Sequence, residues 1–145
     1  MDCVFCRIVE GSAESYKVYE DDSVVVILDK YPASKGHLLV ISRDHYESAS
    51  KTPPPIVSRA FLVAAGLAKY YREELGAPGV NILANDGAQA GQMIFHFHVH
   101  VIPRWRGDPL SFHGRREISP EEAREVLSML GNVQEYLAKY QNNSV

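Results

Sequence analysis

The chain has 145 residues, 46% of them hydrophobic and 23% charged, and a net charge of −3 when its histidines are neutral. That length suits one domain over residues 1–145, no apolar run approaches the ~20 residues of a membrane span, and the acidic balance argues against the basic surface that duplex nucleic acid demands. The opening Met1, Asp2, Cys3, Val4, Phe5, Cys6, Arg7 has an early acid and no long apolar core, so it does not read as an export signal, and a cytoplasmic location is expected.

Lys17 to Tyr19 and Ser23 to Leu28 read as two strands joined by the acidic turn Glu20, Asp21, Asp22, the second carrying the β-rich run Val24, Val25, Val26, Ile27. Pro32 to Gly36 interrupts the pattern, and His37 to Ser42 resumes it as a third, central strand. Thr52 followed by Pro53, Pro54 and Pro55 opens a helix whose apolar residues Val57, Ala60, Phe61, Ala64, Leu67, Ala68 and Tyr71 recur at helical spacing until Gly76. Val80 to Ala84 is a fourth strand, Asn85 to Gly91 a glycine-rich loop, and Ile94 to Ile102 a fifth strand that Pro103 terminates. Ser119, Pro120, Glu121 and Glu122 form a capping box for a last helix over 119–140, with Ala123, Val126, Leu127, Leu130, Val133 and Leu137 on its apolar face and a loose tail from Gln141. No internal repeat is present, and the elements predict an α+β fold: an antiparallel five-stranded sheet with two main helices.

His96, Phe97, His98, Val99, His100 and Val101 alternate strictly, so in a strand three imidazoles share one face while Phe97, Val99 and Val101 enter the other. Three such imidazoles can converge on one catalytic metal. They can instead surround a phosphoryl group as nucleophile, orienting group and proton donor. The plainest alternative, three surface histidines on a half-exposed strand, is hard to reconcile with half of the chain's six histidines falling within five residues. The only cysteines, Cys3 and Cys6, have CxxC spacing; in a reducing compartment that is a metal clip or a redox pair, but a thioredoxin-like motif would follow a first strand and open a helix. A zinc ion needs two more ligands than this pair supplies. His113 has no partner in sequence and reads as a solvated loop residue.

The run His96 to Ile102 resembles the His-φ-His-φ-His-φ-φ signature of the histidine-triad (HIT) family of nucleotide hydrolases and transferases. Cys3 to Cys6, Asp29, Gly36 to Ile41, Asn85, Gly91 with Gln92, and Pro103 with Arg104 fall where that family has matching features, covering about residues 3–108. The resemblance implies a meander-like antiparallel sheet in a homodimer. It implies that His98 is the nucleophile that becomes nucleotidylated, that His100 contacts the phosphate, and that His37 completes the catalytic group. It implies further that Asp29 binds the ribose hydroxyls, that Asn85 and Gln92 reach the phosphates, and that Val4, Phe5, Ile8, Ile27 and Leu28 line a base pocket. The plainer alternatives are a turn aspartate, loop-capping amides and ordinary core.

In several relatives a histidine after the third strand and the first triad histidine complete a zinc site with the cysteine pair; here those are His45 and His96, so the resemblance implies structural Zn2+ on Cys3, Cys6, His45 and His96 and no organic cofactor. The triad is then divided, His96 being structural. The chemistry is coherent on its own terms: an imidazole whose Nδ1 hydrogen is held by a carbonyl keeps a nucleophilic Nε2 lone pair at neutral pH, and a second imidazole, when charged, offsets the negative charge growing on phosphoryl oxygens. Pro103, Arg104, Trp105, Arg106, Gly107, Asp108 looks like the dinucleoside-polyphosphate branch, with Arg104 and Arg106 placed to meet a polyphosphate tail, and Met93 stands where the phosphoramidase branch has a serine. Diadenosine tetraphosphate cleavage is therefore expected first. A phosphoramidate hydrolase, an AMP-binding regulatory module with little turnover, and a three-histidine metalloenzyme are the alternatives.

Overall fold

The structure, a computed structural model, describes residues 3–114 and 116–142. Five strands, β1 (Lys17–Glu20), β2 (Val24–Leu28), β3 (Leu38–Ser42), β4 (Gly79–Leu83) and β5 (His98–Arg104), form one sheet in the order β1-β2-β3-β5-β4, with every neighbouring pair antiparallel. The α+β architecture is the predicted one. Four helices accompany it: α1 (Val4–Glu10), α2 (Pro54–Glu73), α3 (Pro120–Leu130) and α4 (Val133–Asn142).

Period-two alternation sends Val24, Val26, Leu28, Leu38, Val40, Val99 and Val101 to one face, where α2 and the C-terminal helices bury them with Val63, Leu67, Tyr71, Val126 and Leu137. Val25, Ile27, Leu39 and Ile41 go to the other face and pack on Cys3, Phe5 and Ile8 of the N-terminal segment. A sheet covered on both faces explains why β2 and β3 are unbroken apolar runs.

The structure departs from the sequence reading in three places. No element was expected before Lys17, yet α1 is present, with Cys3 Sγ accepting the Cys6 N–H at 3.4 Å as its N-cap and Gly11 in the left-handed conformation at its end. Seven residues cannot hold a helix alone; burial of Phe5 and Ile8, worth ~1.5–3 kcal/mol for each fully buried side chain, stabilises it from outside. The last helix is two helices, because the chain turns at Gly131 with φ +49°; the apolar residues keep helical spacing across the break, so periodicity hides it. Its end runs through Gln141 and Asn142, and residues 143–145 of the expected tail lie outside the described residues, as does Arg115.

The third departure is β5, which runs from His98 to Arg104 instead of from Ile94 to Ile102, with Pro103 inside it. The β3 ladder ends at the Leu38–Val101 pair. Beyond it the Pro103 carbonyl accepts from the Ser34 hydroxyl at 2.5 Å, so the side on which a proline lacks its N–H needs no strand partner.

Gly36 leads into β3 with φ +93°, and a Cβ there would stand 2.7 Å from the Tyr71 hydroxyl and 3.3 Å from Pro103 Cγ. Tyr71 also donates to the Gly36 carbonyl. Gly36→Ala is expected to lower stability by about 1–3 kcal/mol or more, read as a shift of the urea midpoint. An unchanged midpoint would mean that this turn is not constrained as described.

Candidate active site and metal centre

β5 projects His98 and His100 to the face opposite Val99 and Val101, and the β3–β5 register, Leu38 on Val101 through Ile41 on His98, brings His37 alongside them. The rings of His98 and His100 have centroids 5.0 Å apart, and those of His37 and His100 are 5.2 Å apart. His98 Nδ1 lies 2.7 Å from the His96 carbonyl, which can only accept, so Nδ1 carries the proton and Nε2 keeps a lone pair. Phe5 meets the His98 ring edge-on at 5.0 Å and limits its rotation. His37 Nδ1 accepts the Ala33 N–H at 2.9 Å, while its Nε2 lies 3.0 Å from His100 Nδ1 and 3.3 Å from Asp29 Oδ2. Asp29 Oδ1 accepts the Tyr31 N–H at 2.8 Å.

Burial sets the electrostatics. It pulls the imidazole of His37 down to about 3, with the nearby His100 and Arg104 charges adding to the effect. Burial likewise takes His100 to about 4, followed by the influence of His98 and His113. His98 is also held below its ordinary value by burial, which the His96 carbonyl partly opposes, whereas desolvation pushes the Asp29 carboxyl up against the Tyr31 hydrogen bond. Burial thus favours the neutral form of His100 over the charged one that would offset phosphoryl charge, because water is excluded around it.

His96 precedes β5 and points elsewhere. The Phe97 N–H donates to the Tyr46 carbonyl at 2.6 Å, holding the chain beside the end of β3. There His96 Nε2 donates to the Ser42 carbonyl at 2.7 Å, so its Nδ1 lone pair faces Cys3 Sγ at 3.3 Å and Cys6 Sγ at 3.5 Å. His45 Nδ1 is 3.4 Å from Cys6 Sγ, and all four ligand atoms lie within 4.8 Å of one another. Tetrahedral zinc, with bonds of ~2.3 Å to sulfur and ~2.0 Å to nitrogen, needs S···N separations of roughly 3.5 Å, so donor type and spacing fit that ion. Burial, and then Cys3, push the Cys6 thiol up to about 11; a cation between the sulfurs would reverse that. Among the described residues no metal-sized cluster joins His96, His98 and His100, which removes the three-histidine metal alternative.

The remaining candidates are placed as follows. Asn85 is half-buried and its amide lies 3.5 Å from the Gly91 carbonyl. Both ends of the buried Gln92 amide are engaged, accepting from Gly87 N–H at 2.8 Å and donating to the Glu47 and Ile94 carbonyls, so its side chain braces the loop. Phe5 and Ile8 are nearly fully buried, Phe5 lying edge-on to the His96 and His98 rings. Arg104 is held back from a polyphosphate tail: it is buried, with Nε donating to Asn81 at 2.7 Å and Nη1 to Asp108 at 3.1 Å, while Nη2 has no hydrogen-bond partner among the described residues. Arg106 is exposed, and so is His113, which nevertheless lies close enough for His100 to feel its charge. Sequence reasoning missed the Ala33 N–H altogether, since a main-chain donor leaves no side-chain signature. Two surface clefts, of about 500 Å3 around Arg104 to Asp108 and about 770 Å3 around Cys3, Val4, His45 and Phe95, are lined by none of His37, His98 and His100.

The unfolded chain binds a proton at His37 below about 6.5 and the folded protein does not until about 3, so stability falls as pH drops through that window. From about pH 7 to about pH 5 this one residue removes roughly 2 kcal/mol. The His37→Gln protein should lose correspondingly less over the same interval in urea unfolding; equal losses in both proteins would contradict the assignment.

Comparison with known proteins agrees with this geometry. The HIT domain profile matches residues 10–107. "Adenylylsulfatase HINT3" of Arabidopsis thaliana is 38% identical over 133 residues, which are 88% of this chain and 66% of that protein, so the chain spans just under two thirds of that relative. A Zn-bound histidine triad family protein from Mycobacterium smegmatis superposes with a TM-score of 0.79 at 41% identity, covering 98% of this chain and 97% of the other. A hypothetical histidine triad nucleotide-binding protein from Sulfolobus tokodaii strain7 gives 0.76 at 35%, covering 98% and 96%. With the triad strand, the sheet order and these likenesses in agreement, the chain belongs to the HIT domain family.

Proposed function

We propose that this chain is a nucleotide hydrolase or transferase that cleaves at the α-phosphate of a dinucleoside polyphosphate such as diadenosine tetraphosphate through a nucleotidyl-His98 intermediate. The observation that carries the proposal is the 2.7 Å contact of His98 Nδ1 with the His96 carbonyl, which leaves an Nε2 lone pair on the same sheet face as His100. In the first step Nε2 forms a bond to the α-phosphorus while the bridging P–O bond breaks, the leaving group taking the electron pair. In the second, water adds its oxygen to phosphorus and releases a proton, and the N–P pair returns to Nε2. A neutral His100 donates a hydrogen bond to a non-bridging oxygen as charge builds there. Asp29 takes the ribose hydroxyls, Asn85 and the loop braced by Gln92 meet the phosphates, and Phe5 and Ile8 back the base.

A second reading, an adenylyl sulfate substrate, is favoured by the plant relative's description. It shares the adenylyl-His98 intermediate and differs only in the leaving group. A phosphoramidate is less favoured, because the exposed Met93 thioether cannot donate a proton to a departing amine. Zinc on Cys3, Cys6, His45 and His96 would tie the short N-terminal helix to the start of β5. The outer edge of β4, which pairs with no further strand among the described residues and where Ile82 is exposed, supports a homodimer.

His98→Ala is expected to cut turnover of diadenosine tetraphosphate by about three orders of magnitude or more. Mass spectrometry of the quenched wild-type reaction should find the nucleotidyl adduct on His98. Tight AMP binding with no turnover of polyphosphate, adenylyl sulfate or phosphoramidate would make the protein a binding module instead. The purified protein should sediment at twice its 16.2 kDa chain mass and carry one zinc per chain. A monomer defeats the dimer, and metal-free protein with alkylatable cysteines defeats the zinc.

A further inference from the structure

His37 touches neither the attacking nitrogen nor solvent, yet its ring is the best fixed at the site. The Ala33 N–H points at Nδ1 from 2.9 Å, so Nδ1 bears a lone pair and the single proton of the neutral ring sits on Nε2. Two acceptors face that proton: His100 Nδ1 at 3.0 Å and Asp29 Oδ2 at 3.3 Å. The imidazole is nearer, but the carboxylate is an anion and the stronger acceptor, so the proton is shared. Asp29 cannot swing away, because the Tyr31 N–H holds its other oxygen at 2.8 Å. Its side chain is 18% exposed, against 2% for His37, so of the two only Asp29 is within easy reach of a ligand.

From this arrangement we infer that His37 is a positioning residue that couples hydroxyl binding at Asp29 to the proton His100 presents to phosphate. A vicinal diol donating to Asp29 weakens its pull on the His37 Nε2–H, which then commits to His100 Nδ1. With Nδ1 accepting, the one proton of neutral His100 is confined to its Nε2, as a donor beside the His98 lone pair. The site therefore reads the ribose diol in the chemical step and not in affinity alone. The inference rests on the nucleotide reading for the identity of the diol; the proton arrangement does not.

Imidazole nitrogen NMR on the free, full-length protein tests the arrangement directly. His100 is expected with a bare Nδ1 and a protonated Nε2. His37→Leu should give a mixture of its tautomers, and His37→Gln, whose amide can donate to Nδ1, should restore the single form. A His100 protonated on Nδ1 in the wild type overturns the inference even if the leucine variant does not fold. AMP should shift the His100 Nδ1 resonance further than 2′,3′-dideoxy-AMP, which carries the same phosphate without the diol; equal shifts overturn the coupling. In turnover, a 2′,3′-dideoxy substrate should lower kcat about tenfold in the wild type, with no such difference in His37→Leu, tenfold being within the usual range for coupled sites. A loss confined to KM overturns the inference, whereas absence of AMP binding together with absence of turnover defeats the nucleotide reading and leaves the tautomer measurement to decide the role of His37.

Discussion

Three imidazoles of this site each have one nitrogen held by a main-chain group, and the chemistry of the face depends on that arrangement. The His96 carbonyl takes the Nδ1 proton of His98, the Ser42 carbonyl takes the Nε2 proton of His96, and the Ala33 N–H occupies Nδ1 of His37. A main-chain group in a packed sheet cannot rotate to suit a side chain, so the ring adopts the tautomer that the backbone permits. One scaffold thereby yields opposite outcomes two residues apart: His96 offers Nδ1 to a pair of sulfurs and His98 offers Nε2 outward.

That scaffold is rigid because the sheet is buried from both sides. The larger cluster beneath α2 and α4 anchors β5 through Val99 and Val101, and the smaller one beneath α1 covers β2 and β3 through Phe5 and Ile8. The imidazoles lie at the margin of the smaller cluster, where Phe5 packs against both His96 and His98. The N-terminal helix is thus shared by the cysteine cluster and the wall of the histidine face, and disturbing one disturbs the other.

Burial also decides which charges the face can carry. Desolvation is the largest influence on His37, His98 and His100 and lowers all three, with neighbouring charges adding to it at His37 and His100 and the His96 carbonyl opposing it at His98, so each holds a proton less readily than free histidine. Neutral rings can still act as nucleophile and hydrogen-bond donor, but a full positive charge has to come from elsewhere. Arg104, buried on the same face and already engaged with Asn81 and Asp108, contributes field more than contact.

The period-two histidine run, the apolar strands, the Ser119 capping box and the CxxC pair were all legible in the residues, because each is a local pattern or a chemically distinctive side chain, whereas His45 and His96 joined that pair only through the family resemblance. Less was legible where the outcome depends on packing between distant segments. α1 forms only because Phe5 and Ile8 find a sheet to cover, Gly131 breaks a helix whose apolar spacing continues past it, and Pro103 enters β5 because β3 has ended beside it. The sequence by itself determined which residues could do chemistry, since imidazoles, thiols and carboxylates announce themselves by type and spacing. Tertiary structure alone decided which nitrogen of each histidine carries its proton and which is bare, because that depends on main-chain carbonyls and N–H groups such as those of Ser42 and Ala33, which every sequence contains and only a fold can aim.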